Sequence, residues 1–302
     1  MALNLKTKRN IVSLGFKCFV FVSAAISALS VLLLILFIVK NGMAPFLHNR
    51  IKVLNFLFST NWDPTSSINK SYGILSFIIN SALTTFFSVL IALPIGLGFA
   101  IYLFEKAKGI YQKILQTMIE LLAGIPSVVY GFFGSTFIAT LVKNTFKRED
   151  NLGYNLVSSA IVLSIMILPT IISVSYTALK AVPKSYKLAS LALAATDWQT
   201  TYKIMIPSAG RGILAGIILA IGRAIGETIA VLMVGGGSSL FIRNIFSPIR
   251  TLTINIAIDM GYASGTHREA LFSTALVLLL SVVIINSIKY FIFSSSKRPK
   301  IR

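Results

Sequence analysis

A chain of 302 residues that is 55% hydrophobic and 12% charged is not a soluble globular domain; apolar runs near the bilayer-crossing length of about 20 residues recur along it. The net charge is +19, but the basic residues sit mainly at the ends of apolar runs, where they orient a chain in lipid, so nucleic acid is not expected as a partner. One cysteine, Cys18, excludes an intrachain disulfide, and the distant His48 and His267 form no metal constellation and read as surface or interfacial residues.

The pattern predicts an all-α polytopic membrane protein with six transmembrane helices, at 18–39, 73–104, 114–142, 154–179, 211–235 and 267–293. A cytoplasmic N-terminal segment, 1–17, carries Lys6, Lys8, Arg9 and Lys17. The run from Phe19 to Val39 is longer than a signal-peptide core and reads as an uncleaved first span. That helix and an outer loop fill 18–72, and a core of 73–293 follows. The second span is over-long, so an interfacial entry turn or a tilt is expected. Pro94, Pro126 and Pro169 predict kinks in spans two to four. In lipid a carbonyl freed by proline needs a protein or water partner, which suits a conduit that changes shape, and equally suits packing.

Between spans four and five lies a long inner loop, 180–210. Pro183 and Pro207 bracket it, predicting two short helices with a turn near Ala195–Asp197. Leu188, Leu191, Ala192 and Ala195 fall on one face. Such a face lies on the membrane surface or docks a cytoplasmic partner, and periodicity leaves both open.

Span five is rich in small residues, and Gly212/Gly216 and Gly222/Gly226 have the spacing of close helix contacts. Inside it stand Arg223, about a dozen residues or roughly 18 Å past the inner end, and Glu227, four residues on and so on the same helical face. An arginine at that depth costs about 2.5–3.5 kcal/mol on insertion scales, which makes it a functional candidate. Its planar fork of donors matches a tetrahedral oxyanion, and Glu227 is expected to direct and compensate it. A buried pair that merely fixes helix register is the alternative. After the last span comes a basic tail, 294–302. With the N-terminus inside, seventeen Lys and Arg fall on inner segments and ten on outer ones, which favours both termini in the cytoplasm. The outer face is itself net positive, as a generally lysine-rich background or an entrance for anions would make it. No phosphate-cradling G-x-x-x-x-G-K-[ST], zinc-protease motif or dinucleotide fingerprint is present, so any ATP must be hydrolysed on another chain.

The loop resembles the cytoplasmic signature of ATP-binding-cassette importer permeases, E-A-A-x-x-x-G, nine residues, then I-x-L-P. Leu188-Ala189-Ser190 stands where E-A-A is expected, Ala194 where glycine is, and Ile204, Ile206 and Pro207 follow in register. The segments IPSVVYG, ILPTIISVS, AVPKSY and GRAIGET, in that order, resemble phosphate importer permeases of the Pst type, closer to PstC than to PstA. The resemblance covers about residues 60–293. It implies a type I importer permease fold in the bacterial cytoplasmic membrane. The chain is then a transport subunit and not an enzyme, binding no cofactor, with ATP on a partner. The partners implied are a PstA-like second permease, two copies of a cytoplasmic ATPase and an external phosphate-binding protein. Tyr186, Ala189, Leu191, Ala194, Ala195, Asp197, Trp198 and Pro207 belong to the implied ATPase-coupling loop. Arg223 and Glu227 occupy the family's charged pair in the path, and Ser127, Tyr130, Thr170 and Thr228 are candidates for added hydrogen bonds. Another oxyanion (sulfate, molybdate or phosphonate) or a transporter or channel without an ATPase are the competing readings.

Overall fold

The computed structural model describes residues 2–66, 69–147 and 151–294. Arg148, Glu149 and Asp150, and the tail residues Lys297, Arg298, Lys300 and Arg302, lie outside the described residues. Helix α1 (Ala2–Leu47) extends past the predicted first span at both ends. None of its apolar window is buried, as suits a helix facing lipid. A short helix α2 (Val53–Phe58) leads to two antiparallel strands, β1 (Trp62–Asp63) and β2 (Ser71–Tyr72). Then come α3 (Leu75–Glu105), α4 (Gly109–Gly124), α5 (Ser127–Phe133), a π-turn over Gly134–Ile138 and α6 (Ala139–Thr145). The rest is α7 (Leu156–Lys180), α8 (Lys184–Ala192), α9 (Asp197–Thr200), a second π-turn over Thr201–Met205 and α10 (Ile206–Gly226). Helices α11 (Ile229–Gly235), α12 (Leu252–Asp259) and α13 (Gly265–Ser294) complete it.

Among the described residues five helices are long and apolar enough to cross a membrane. A sixth candidate, α4 with the run Ser127–Thr145, is bent by 90° at its break. The third predicted span is therefore a broken one, not a single kinked helix. Ile125 and Pro126 are extended, since proline disfavours the helical region for the residue before it. The Tyr130 hydroxyl donates to Leu122 O across the break (2.7 Å), adding to the bond that carbonyl accepts from Ile125 N (3.3 Å).

Helix α7 is central. Of its apolar window 61% is buried, against 28% for α3. Its Val162, Leu163, Met166, Ile167 and Ile171 form one core with Tyr130, Ala220, Ala224, Ala230 and Val234. Asn155 caps it, accepting from Ser158 N at 3.0 Å. Half of the predicted small-residue contacts are present. A Cβ on Gly212 would sit 2.5 Å from Ala178 Cβ, and one on Gly216 3.0 Å from Val174, so α10 lies close against α7 there. At Gly222 and Gly226 a Cβ would meet nothing within 4 Å, which corrects the expectation of a second close contact. Gly212→Ala is expected to destabilise by about 1–3 kcal/mol through overpacking. Gly222→Ala should be neutral or stabilising by up to about 1 kcal/mol through helix propensity, and thermal unfolding of the two variants checks the contrast.

Pro207 does not end the second loop helix, as bracketing predicted. Helix runs without interruption from Asp197 to Gly226. The π-turn just before Pro207 widens the turn where the proline N–H is missing, and the chain passes through.

At the end of the bundle opposite the α8–α9 loop, His267 is buried, not on the surface as predicted. Its Nε2 lies 3.2 Å from Asp259 Oδ2. Trp62 Nε1 donates to the same oxygen (3.0 Å), while the Tyr262 hydroxyl (2.6 Å) and the Arg250 guanidinium donate to Oδ1. Arg250 also stacks over Phe77, 5.6 Å from the ring centroid. The Arg250 charge is thus buried and paired, and Arg50 pairs with Glu269 at 2.7 Å, so neither adds freely to the positive field predicted for this end.

Candidate functional site

Arg223 and Glu227 do not sit four apart on one helix. Helix α10 ends at Gly226, and Glu227 is extended (φ −70, ψ 133). The two charges flank a break in the span. Arg223 occupies the last turn of α10, where a cation meets the carbonyl ends. Glu227 precedes α11, and its Oε1 accepts from Ala230 N at 3.1 Å, where an anion meets free amides. Each charge therefore matches a different helix terminus. Among the described residues there is no ion pair between them; the hydrogen bond of the guanidinium goes to Thr170 Oγ1 at 3.3 Å.

The placement of that bond follows from packing. Gly212, Gly216 and Arg223 lie at helical spacing on the side of α10 that meets Ala178, Val174 and Thr170 of α7. Thr170 directly follows Pro169 within α7. Arg223 and Glu227 are both half-buried. A guanidinium has five N–H donors, and one bond to a neutral hydroxyl leaves most of them for a visiting anion.

Glu227 is held from both sides of its residue. Its carbonyl accepts from Thr253 Oγ1 at 2.8 Å. With Ser81, Thr84, Thr85 and Thr251 it lines a small niche between α3 and α10, which Leu163, Ala224, Ile225 and Val231 also line. Thr84 and Ser88 return their hydroxyls to the carbonyls of Asn80 (2.7 Å) and Thr84 (2.6 Å), which lets α3 bury them. These α3 hydroxyls were missed by the sequence reading; their spacing of four was the available signal. Of the other candidates, Tyr130 shares the core around Ala224 and bridges the α4–α5 break. Ser127 opens α5 at that break, and Thr228 lies in the α10–α11 break, its O accepting from Leu232 N at 2.8 Å. A cavity of about 1160 Å³ lies elsewhere, at the strand end, lined by Arg50, Lys52, Lys70, Tyr72, Tyr262 and His267.

The loop forms the helix–turn–helix that was expected. Its turn spans 193–196, slightly before the predicted Ala195–Asp197. Thr196 caps α9 through a capping box with Gln199. Ala194, at the position where the importer signature carries glycine, has φ +59. A left-handed backbone costs a non-glycine residue about 1–2 kcal/mol. After glycine's own entropy of about 0.5–1 kcal/mol, Ala194→Gly is expected to tighten the turn. Amide exchange across 193–196 should slow about threefold. No residue of α8 is buried. Tyr186, Leu188, Leu191 and Leu193 are exposed, as are Trp198 and Tyr202, whose rings stack at 6.0 Å. Ala189 is exposed too, with Ala195 half-buried and Asp197 exposed beside them. The loop therefore presents an apolar, aromatic surface that the described residues do not cover.

Residues 92–297 match the family model described as binding-protein-dependent transport system inner membrane component. The chain is 42% identical over 258 residues to the probable ABC transporter permease protein YqgH of Bacillus subtilis, covering 84% of this chain and 82% of that one. It is 32% identical over 251 residues to the phosphate transport system permease protein PstC of Pasteurella multocida, covering 78% of each. Among solved structures, the inward-facing MetNI methionine ABC transporter superposes with a TM-score of 0.56 at 18% identity, over 75% of this chain and 95% of that chain. A bacterial ABC transporter that imports alginate gives 0.53 at 16% identity, over 72% and 79%. At these identities the two structures speak to the fold alone.

Proposed function

The chain belongs to the family of binding-protein-dependent transport system inner membrane components, and from that premise we propose that it is a permease subunit of an ATP-driven importer of inorganic phosphate. It is a multi-pass membrane transport subunit, not an enzyme. The relatives named as phosphate permeases support phosphate as cargo. The observation that carries the reading is Arg223: a half-exposed guanidinium at a helix break, held by a single hydroxyl. Discontinuous helices with their termini at a substrate site are a recurring device of transporters.

In this reading the α8–α9 loop is cytoplasmic, both termini are cytoplasmic, and the exposed loop surface docks an ATPase subunit that holds the ATP. A PstA-like permease completes the path, two ATPase copies drive it, and an external phosphate-binding protein supplies it. ATP binding closes the ATPase pair, the loop moves with it, and the broken spans change which side the path faces. Phosphate passes Arg223, which offers transient charge compensation, and a modest affinity there lets the ion leave. The test is uptake of labelled phosphate by the purified assembly in proteoliposomes with excess sulfate, molybdate or phosphonate. Phosphate uptake that resists these anions is expected. Indifference to phosphate assigns the path to another oxyanion, and uptake without ATP assigns it to a transporter of another class.

A further inference from the structure

Glu105 is the last residue of α3, a place where an acidic side chain opposes the helix dipole. Its side chain is only 11% exposed. A carboxylate in such a position needs compensation, and two donors supply it from the two arms of the α8–α9 loop. Lys187 Nζ of α8 lies 2.6 Å from Oε2. Thr201 Oγ1, in the π-turn after α9, donates to Oε1 at 2.8 Å. The arms are also tied to each other through Ser190 and Thr200, whose hydroxyls are 2.9 Å apart. Lys187 further lies over the Phe104 ring, 5.7 Å from its centroid.

Apolar packing joins the loop to α3 as well. Val182 and Met205 pack on Leu97, Ile101 and Phe104. Apolar contact is non-directional and lets surfaces slide, whereas a charge-assisted bond fixes one atom against another. From Glu105 the helix runs about 30 Å, at 1.5 Å per residue, to Thr84 and Thr85, which line the niche with Glu227. One continuous helix, with Pro94 inside it, therefore joins the clasp on the loop to the niche at the α10–α11 break.

We propose that Glu105 is the positioning residue through which the loop moves α3, so that ATPase motion reaches the path. This rests on the reading of the loop as the ATPase-coupling element. The experiment uses the full assembly in proteoliposomes and measures ATPase-subunit content, ATP turnover and phosphate carried per ATP. Glu105→Ala is expected to keep the ATPase subunit and hydrolysis near the wild-type level while phosphate per ATP falls at least tenfold. Glu105→Gln, which keeps volume and the Thr201 bond, should show a smaller fall of the same kind. The exchange Glu105→Lys with Lys187→Glu should recover part of the ratio, since Asp197, 4.0 Å from Lys187 Nζ, opposes a carboxylate at 187. An unchanged ratio in Glu105→Ala overturns the proposal, as does an exchange that recovers nothing, or loss of the ATPase subunit from both single variants. ATP-independent uptake by the wild-type assembly would instead sink the functional reading beneath it.

Discussion

Replacing Arg223 by glutamine is expected to lower phosphate uptake by about a hundredfold or more while the assembly stays intact. The magnitude is that of removing one directed, charged donor from the point where an anion must be held, ~10²–10³ in rate. Glutamine keeps a donor but loses the charge, and Thr170 Oγ1 is a neutral partner that leaves no compensating charge behind. Stability should change little, because Arg223 is half-buried and makes no ion pair with Glu227. Thr170→Val removes only the anchor and should cost uptake severalfold, not a hundredfold. Uptake by Arg223→Gln at the wild-type rate would leave Arg223 as a residue that fixes α10 against α7.

The second large effect concerns stability and lies far from the path. Asp259 accepts from Arg250, Trp62 and Tyr262 and sits beside His267, with 2% of its side chain exposed. Asp259→Asn leaves the Arg250 cation buried without its counter-ion, and breaking one partner of such a pair costs about 3–5 kcal/mol. A drop of several degrees in the unfolding temperature of the purified chain is expected. The pH dependence has a definite sign. Burial pushes the Asp259 carboxyl up, but the hydrogen bonds from Tyr262, Trp62 and Arg250 outweigh it and hold it below the ordinary carboxylate range. A depressed carboxyl stabilises the fold above its unfolded value of about 3.9, and that contribution fades as pH falls further, through the folded value. Below about pH 4 the wild-type chain should therefore lose stability that Asp259→Asn never had. Parallel loss in both proteins would assign the acid sensitivity to other groups.

Four spans were legible in the sequence because an apolar run of bilayer length admits few alternatives. The third was only half legible. Pro126 announced a disturbance, but whether proline bends or breaks a helix depends on what neighbours can satisfy the freed groups. Here the Tyr130 hydroxyl, eight residues on, reaches back across the break and donates to Leu122 O, a contact that local composition does not announce. The fifth misled through spacing: four residues apart suggests one face, yet Gly226 stands between the charges and lets the chain leave the helix. The local signal was there, in Gly222 and Gly226 weakening the helix and in Glu227 and Thr228 standing before an apolar run, as helix caps do. Pro207 misled in the opposite direction, because the π-turn that accommodates it leaves no mark in local composition. The Glu105 clasp and the Asp259 cluster were invisible for a topological reason. The partners of Glu105 are 82 and 96 residues away; for Asp259, Arg250, Tyr262 and His267 stand within nine residues, but the Trp62 that closes the cluster is 197 away.

An aqueous path is expected to pass Arg223 and to open to each side in turn. Gly222 stands beside it, and a side chain there meets nothing within 4 Å. In a Cys18→Ser background, Gly222→Cys gives the chain a single thiol at that point. The measurement is labelling of that thiol in the whole assembly by a membrane-impermeant reagent, added from one side at a time. Labelling is expected from the loop side without nucleotide, and from the strand side when the ATPase is trapped with ATP. A thiol sealed from both sides in both states, in an assembly that still transports, would contradict it.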